Sequence, residues 1–261
     1  MIWVVLVILG IITGLFAGFL GIGGGVLVVP GLLFIFKYFH LPTDDLMHFA
    51  IGSSLVIMIA TNTSALITRS IRKEVEWRTI RYAFIGIIIG SGVGAYSAHL
   101  MPSFWLEIIF GIYMFAISVK LFMGFKTRRD VAHTLHPLWI LLISTIASFK
   151  SGFLGTGAGS IMIPLLYYIG FSMRVAAGTA SMFSVLIAIS ASIVLYVVKL
   201  GDVSIPWATG YIYWPAVLCV APLALAFAML GVYLSKFFSN EMLRKIFAIL
   251  LFLVAIRMLI P

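Results

Sequence analysis

Long apolar runs, broken by short polar stretches, divide the chain into ten segments. They lie near 2–20, 26–39, 46–68, 79–100 and 103–123, then near 138–154, 160–170, 172–198, 208–235 and 240–260. A helix that crosses a bilayer needs about 20 residues. Segments 26–39 and 160–170 fall short of that, and each directly follows a glycine-rich break. They are predicted as half-helices or as the return arms of re-entrant hairpins. The other segments are long enough to span.

The two glycine breaks are copies of one phrase. Residues 18–30, Gly-Phe-Leu-Gly-Ile-Gly-Gly-Gly-Val-Leu-Val-Val-Pro, return at 152–164 as Gly-Phe-Leu-Gly-Thr-Gly-Ala-Gly-Ser-Ile-Met-Ile-Pro. The correspondence continues beyond them. Ala50-Ile51-Gly52-Ser53 matches Ala176-Ala177-Gly178-Thr179, and Ser64-Ala65 matches Ser190-Ala191. Gly94, Tyr96, Leu106, Ile109, Phe110, Ile112 and Phe115 match Gly231, Tyr233, Leu243, Ile246, Phe247, Ile249 and Phe252 at one constant offset. The chain is a tandem duplication, with halves 1–123 and 138–261 joined by a basic linker, 124–137. A broken helix at membrane depth leaves backbone N–H and C=O groups that lipid cannot satisfy, so it survives only inside protein or beside water. Paired breaks at matching places in two halves are the sequence mark of a secondary transporter's binding site.

Composition sets the solvent. Of 261 residues, 63 % are hydrophobic and 10 % charged, against roughly a quarter charged in a soluble domain. The mean hydropathy is +1.20. Met1-Ile2-Trp3-Val4-Val5 carries no basic n-region, so the N-terminus reads as the first membrane segment and not a removable signal peptide. Cys219 stands alone, which leaves no disulfide framework.

The net charge of +9 sits mostly in short connectors, as the positive-inside rule requires, and does not point to nucleic acid. Arg69, Arg72, Lys73, Arg78 and Arg81 place the 69–81 connector on the cytoplasmic side. Its counterpart, around Lys199 to Pro206, has one basic residue. The connector near His99 to Ser103 has no Lys or Arg, whereas its counterpart carries Lys236, Arg244 and Lys245. Equivalent loops therefore take opposite sides, which predicts inverted repeats. The expected fold is an all-α polytopic membrane protein. Each inverted repeat has about four to five membrane segments and a glycine-broken first helix or hairpin. Both termini are expected to face away from the cytoplasm.

The elbow phrase, the Ala-x-Gly-Ser/Thr motif and the duplication together resemble the TauE/SafE sulfite-exporter family over essentially the whole chain. The resemblance implies a small multi-pass transporter of the cell's inner or plasma membrane, moving sulfite, organosulfonates or related sulfur-containing and carboxylate anions. It carries over to Gly21, Gly23, Gly24, Gly25 and Pro30, to Gly155, Gly157, Gly159 and Pro164, and to Gly52-Ser53-Ser54 and Gly178-Thr179. Ala158 departs from the pattern, standing where the first copy has Gly24, and makes the second elbow less permissive.

The chemistry of these residues suits an anion. Glycines at an elbow leave the backbone bare to a ligand. The N–H groups of Gly25, Val26 and Leu27, and of Gly159, Ser160 and Ile161, then open new helices whose dipoles favour negative charge. The same glycines would also permit close helix packing, but their recurrence with a proline at fixed distance favours the broken-helix site. Hydroxyls at Ser53, Ser54, Thr61, Thr63 and Ser64, with Asn62 beside them, are matched by Thr179, Ser181, Ser184, Ser190 and Ser192. Such groups donate to oxyanions or bond within and between helices. Lys150 is an intramembrane cation with no acidic neighbour, standing where the first copy has Phe16. It either holds the anion or snorkels to an interface.

The candidate substrate site is Gly23, Gly24, Gly25, Ser53, Ser54, Lys150, Gly157, Gly159, Ser160 and Thr179. Acidic residues are sparse and, apart from an interfacial Glu107, lie in loops or at helix ends. That argues against metal transport and against a carboxylate proton relay at the midplane. His48 and His99 read as interfacial. No cofactor or metal is expected; the partners are a small anion and the bilayer. An anion channel could use the same site. A membrane-embedded enzyme or assembly factor would need converging polar catalytic groups that the chain lacks.

Overall fold

The computed structural model describes residues 2–20, 24–123, 136–200, 205–234 and 240–259. Gly21 to Gly23, most of the basic linker, Asp202 and Lys236 lie outside the described residues. Ten helices run through the described residues: α1 (Ile2–Leu20), α2 (Gly25–Tyr38), α3 (Leu46–Ile71), α4 (Trp77–His99), α5 (Ser103–Met123), α6 (Pro137–Leu154), α7 (Gly159–Tyr168), α8 (Met173–Val198), α9 (Trp214–Leu234) and α10 (Asn240–Leu259). Six of them, α3, α4, α5, α6, α8 and α9, are long and apolar enough to cross a membrane. At 14 and 10 residues, α2 and α7 are the two short helices that the sequence predicts.

One boundary differs. The segment expected to be helical from 208 opens with a small hairpin, β1 (Ala208–Thr209) paired antiparallel with β2 (Ile212–Tyr213). Gly210 turns it at φ +58°, pressed against the Tyr196 backbone, where a side chain would not fit. The run Tyr211-Ile212-Tyr213 is apolar enough to pass for helix, but it packs on α3 and α8 as part of the hairpin, and α9 begins at Trp214.

The bundle turns small and hydroxyl-bearing residues inward. Ser53, Ser54, Ser148, Ser151 and Thr179 are fully buried, while Ile85, Ile146, Ile193, Leu218 and Leu253 are exposed. This is the arrangement that lipid demands of a helix bundle. All six tryptophans are exposed and stand in the first turn of a helix or in the hairpin segment, as expected of aromatic belts at the membrane–water interfaces.

Glycines set the closest helix contacts. α1 runs parallel to α9, with Gly10 against Val220 and Gly14 so close that a Cβ would meet the Ala224 carbonyl at 2.6 Å. α4 runs parallel to α6 in the same way, Gly86, Gly90 and Gly94 lying on the backbones of Leu141, Thr145 and Phe149. Gly-x-x-x-Gly spacing brings backbones together where dispersion is the main attraction. The other two large contacts are antiparallel. In one, Gly52 near the start of α3 meets the Tyr211 carbonyl beyond the end of α8, and Gly178 near the start of α8 meets the Glu74 carbonyl beyond α3. In the other, Gly111 of α5 faces Met258 and Leu259 of α10, while Ser118 donates to the Ala248 carbonyl at 3.0 Å.

Candidate functional site

The second elbow is fully described. α6 ends at Leu154, and Gly155 caps it at φ +65°, the left-handed conformation that favours glycine. Thr156 N–H closes the cap on the Ser151 carbonyl at 3.1 Å. Gly157 follows, and α7 begins at Gly159 with Pro164 inside it. Ile161 and Met162 N–H both bond back to the Ala158 carbonyl, at 3.1 and 2.9 Å. The first turn thus uses one of the N–H groups assigned to the ligand; Gly159 and Ser160 keep theirs free of an intrahelical acceptor. In α2, Leu27 N–H likewise bonds to Gly24, at 3.0 Å.

The start of α2 packs against the second elbow. A Cβ on Gly25 would stand 2.6 Å from the Gly155 carbonyl and against Met58 Sδ. Ser54 Oγ, on α3, donates to that same carbonyl at 3.0 Å. Gly24 is different. Its nearest neighbours would lie 3.7 Å or more from a Cβ, and its backbone (φ −67°, ψ −19°) matches that of Ala158 (φ −64°, ψ −19°). The departure at Ala158 therefore costs the second elbow nothing. Gly157, Gly159 and Ala158 are buried, and Ser160 is half-buried.

Lys150, in the last turn but one of α6, reaches across the elbow. Its Nζ donates to Tyr113 Oη of α5 at 2.6 Å, to Ser160 Oγ of α7 at 3.0 Å and to Thr156 Oγ1 at 3.2 Å. It also stands 4.5 Å from the centre of the Tyr113 ring. Tyr113 Oη and Ser160 Oγ are 2.6 Å apart, so one donates to the other. All three ammonium hydrogens go to hydroxyls and none to a carboxylate. The hydroxyls solvate the charge without neutralising it, and they keep hydrogens to offer an anion. The positions that correspond in sequence at the first elbow are Phe16, Ile22 and Val26, with Leu250 of the second repeat in place of Tyr113. The polar residues of one elbow thus have apolar counterparts at the other.

Ser53 and Thr179 take another place. Ser53 Oγ accepts from Tyr213 N–H at 2.9 Å, and Thr179 Oγ1 accepts from Glu76 N–H at 2.9 Å. Each fastens the connector that leaves the other repeat's long helix, beside the Gly52 and Gly178 contacts. Most remaining hydroxyls bond to their own helix: Thr61, Ser181, Ser184 and Ser192 all donate to carbonyls three or four residues back. Ser184 Oγ also accepts from Ala158 N–H at 3.0 Å.

Tyr113 and Thr156 are the cluster residues that sequence reasoning missed. A tyrosine in an apolar helix reads as core or belt; the signal was its exchange for Leu250 in the other repeat. His48, in the first turn of α3, is buried at 2 % exposure. Glu107 pairs with Lys37 at 2.6 Å on the surface. A crevice of about 600 Å³ lies along α4, α6 and α7, lined by Thr79, Ile140, Met162 and Leu165 among others. Met162 places it two residues from Ser160.

Comparison with known proteins identifies the family. A family model described as Sulfite exporter TauE/SafE matches residues 6–258. The probable membrane transporter protein YunE of Bacillus subtilis is 27 % identical over 276 residues, covering 98 % of this chain and 97 % of that protein. A probable membrane transporter protein of Haemophilus influenzae is 26 % identical, covering 96 % of each chain. The probable membrane transporter protein MJ0441 of Methanocaldococcus jannaschii is 30 % identical, covering 77 % of this chain and 78 % of that one. A glycine-broken, multi-pass helix bundle matched over nearly its whole length is a membrane transporter and not an enzyme, and the chain belongs to the sulfite exporter TauE/SafE family.

Proposed function

We propose that the protein is a secondary carrier for a small anion of the sulfite, organosulfonate or short-carboxylate type, in the cell's inner or plasma membrane. The anion binds at the second elbow between Lys150, Tyr113, Thr156 and Ser160, with the Gly159 and Ser160 N–H groups at the start of α7 completing the site. The observation that carries this reading is an ammonium solvated by three hydroxyls and no carboxylate. Burying a charge without a counter-ion is costly, and a bound anion removes that cost.

Alternating access in this reading comes from two inverted repeats. Two contacts support it: the equivalent helices α3 and α8 cross antiparallel, as do α5 and α10. Equivalent helices related by an axis along the membrane normal would run the same way. The test is flux in proteoliposomes against sulfite, sulfate, sulfoacetate, thiosulfate and lactate. Saturable, exchangeable flux of at least one of them is expected, weakened by Lys150→Met. Absence of flux for the whole panel, or single-channel currents in place of exchange, would overturn the carrier.

A further inference from the structure

The end of the bundle opposite the basic connector holds a second polar cluster that the anion site does not use. His48 is buried near the start of α3. Its Nε2 lies 3.0 Å from the Ala98 carbonyl and 3.1 Å from the Met101 carbonyl at the end of α4. Both partners only accept, so Nε2 carries the hydrogen and the neutral ring has its lone pair on Nδ1. That Nδ1 is buried with no hydrogen-bond partner, and it faces Asp45 Oδ1 at 3.6 Å. Nδ1 is therefore the atom at which this ring takes up a proton. Asp45 is also paired with Lys199 at the end of α8. Tyr211 of the hairpin covers the cluster: its ring stacks on His48 at 4.9 Å, Lys199 Nζ stands 5.1 Å from it, and His99 Nδ1 lies 2.9 Å from its hydroxyl.

We propose that His48 is a proton-binding site that controls the opening of this end of the transporter. The argument is one of burial. His48 is 2 % exposed, and the carboxylate beside it, Asp45, is already paired with Lys199. A proton taken from the aqueous phase by Nδ1 makes the ring an imidazolium, a new charge under a buried cover. Stacking on Tyr211 offsets only part of the cost of desolvating it. Lifting the hairpin away from α3 hydrates the imidazolium and removes the remainder. Acid therefore favours the open form of this end.

At the other end Arg174 stands at the position equivalent to His48 and Glu74 at that of Tyr211, so among the described residues this histidine and its cover are not repeated there. The inference rests on the transporter reading but not on which anion is carried.

The test needs no substrate. Purified full-length protein in nanodiscs, with Cys219→Ser, carries Ile212→Cys, which is 4 % exposed in the closed hairpin. Its labelling by an impermeant thiol reagent is measured relative to Trp207→Cys, which is 81 % exposed. The ratio is expected to rise as pH falls from about 8 to 5, the range in which histidines titrate. The rise reaches up to about tenfold per pH unit, the limit for a one-proton equilibrium. His48→Gln keeps a donor for the two carbonyls but takes up no proton, and its ratio should be flat. Asp45→Asn takes the carboxylate from the part-buried Lys199 and should raise the ratio already at about pH 8, and His99→Gln should leave the response in place. A flat ratio in the parent, a rise with increasing pH, or an unchanged response in His48→Gln would each overturn the proposal. None of these outcomes bears on the anion site, which the flux panel tests separately.

Discussion

Lys150 stands at the second elbow among three hydroxyls. Lys150→Met keeps the length and apolar bulk of the side chain and removes its charge. Losing an ionic hydrogen bond of this kind costs about 1.5–3 kcal/mol, so anion affinity is expected to fall roughly ten- to hundred-fold. Tyr113→Phe keeps the ring under the ammonium and removes only the hydroxyl, so it should cost less. Affinity of Lys150→Met within about twofold of the parent by equilibrium binding would exclude the ligand role. The elbow glycines differ among themselves in a way that a sequence motif hides. Gly24→Ala should be tolerated, because its backbone already matches that of Ala158 and its surroundings leave room. Gly25→Ala should disrupt the packing of α2 against the second elbow, because its Cβ would strike the Gly155 carbonyl and Met58. Thermal denaturation of the two variants checks this: equal melting temperatures would contradict it.

Among the elements, the long helices α3 and α8 do more than span. Each carries near its start a glycine and a hydroxyl that hold down the connector leaving the other. The Ser53 and Thr179 motif was legible in the sequence as a repeated pair, but its partners were not. Those partners are backbone N–H groups of Tyr213 and Glu76, and backbone N–H groups look alike in every sequence. Ser53→Ala and Thr179→Val each leave a part-buried N–H without its acceptor, at a cost of up to about 1–3 kcal/mol. Both should lower the melting temperature in detergent, by similar amounts if the two connectors are equivalent. A variant that melted with the parent would show its hydroxyl dispensable to the fold.

For the molecule as a whole, the antiparallel crossing of equivalent helices and the asymmetry of basic connectors lead to the same topology. In a Cys219→Ser background, Arg72→Cys should react with an impermeant reagent from the cytoplasmic side and Trp207→Cys from the opposite side. Labelling of both from one side would end the inverted-repeat reading. The twofold pattern also explains where function breaks the symmetry. The residues that correspond to the Lys150 cluster are apolar, and Arg174 corresponds to His48, so neither proposed site is repeated in the other half.

The apolar runs, the glycine breaks and the duplication settled the helix count, the two short helices and the solvent before any coordinate. Each is a local property of the chain, fixed by hydropathy and backbone freedom. Lys150 stood out for the same reason, as a charge in an apolar run. What only the tertiary structure decided is which groups meet across segments: Tyr113 and Thr156 with Lys150, Gly25 with Gly155, Tyr211 over His48. Such contacts join residues on different helices, and nothing in the hydropathy of one helix records which face its neighbour will take. The hairpin at 208–213 belongs with them, because an apolar sequence becomes helix or hairpin according to the backbone it is pressed against.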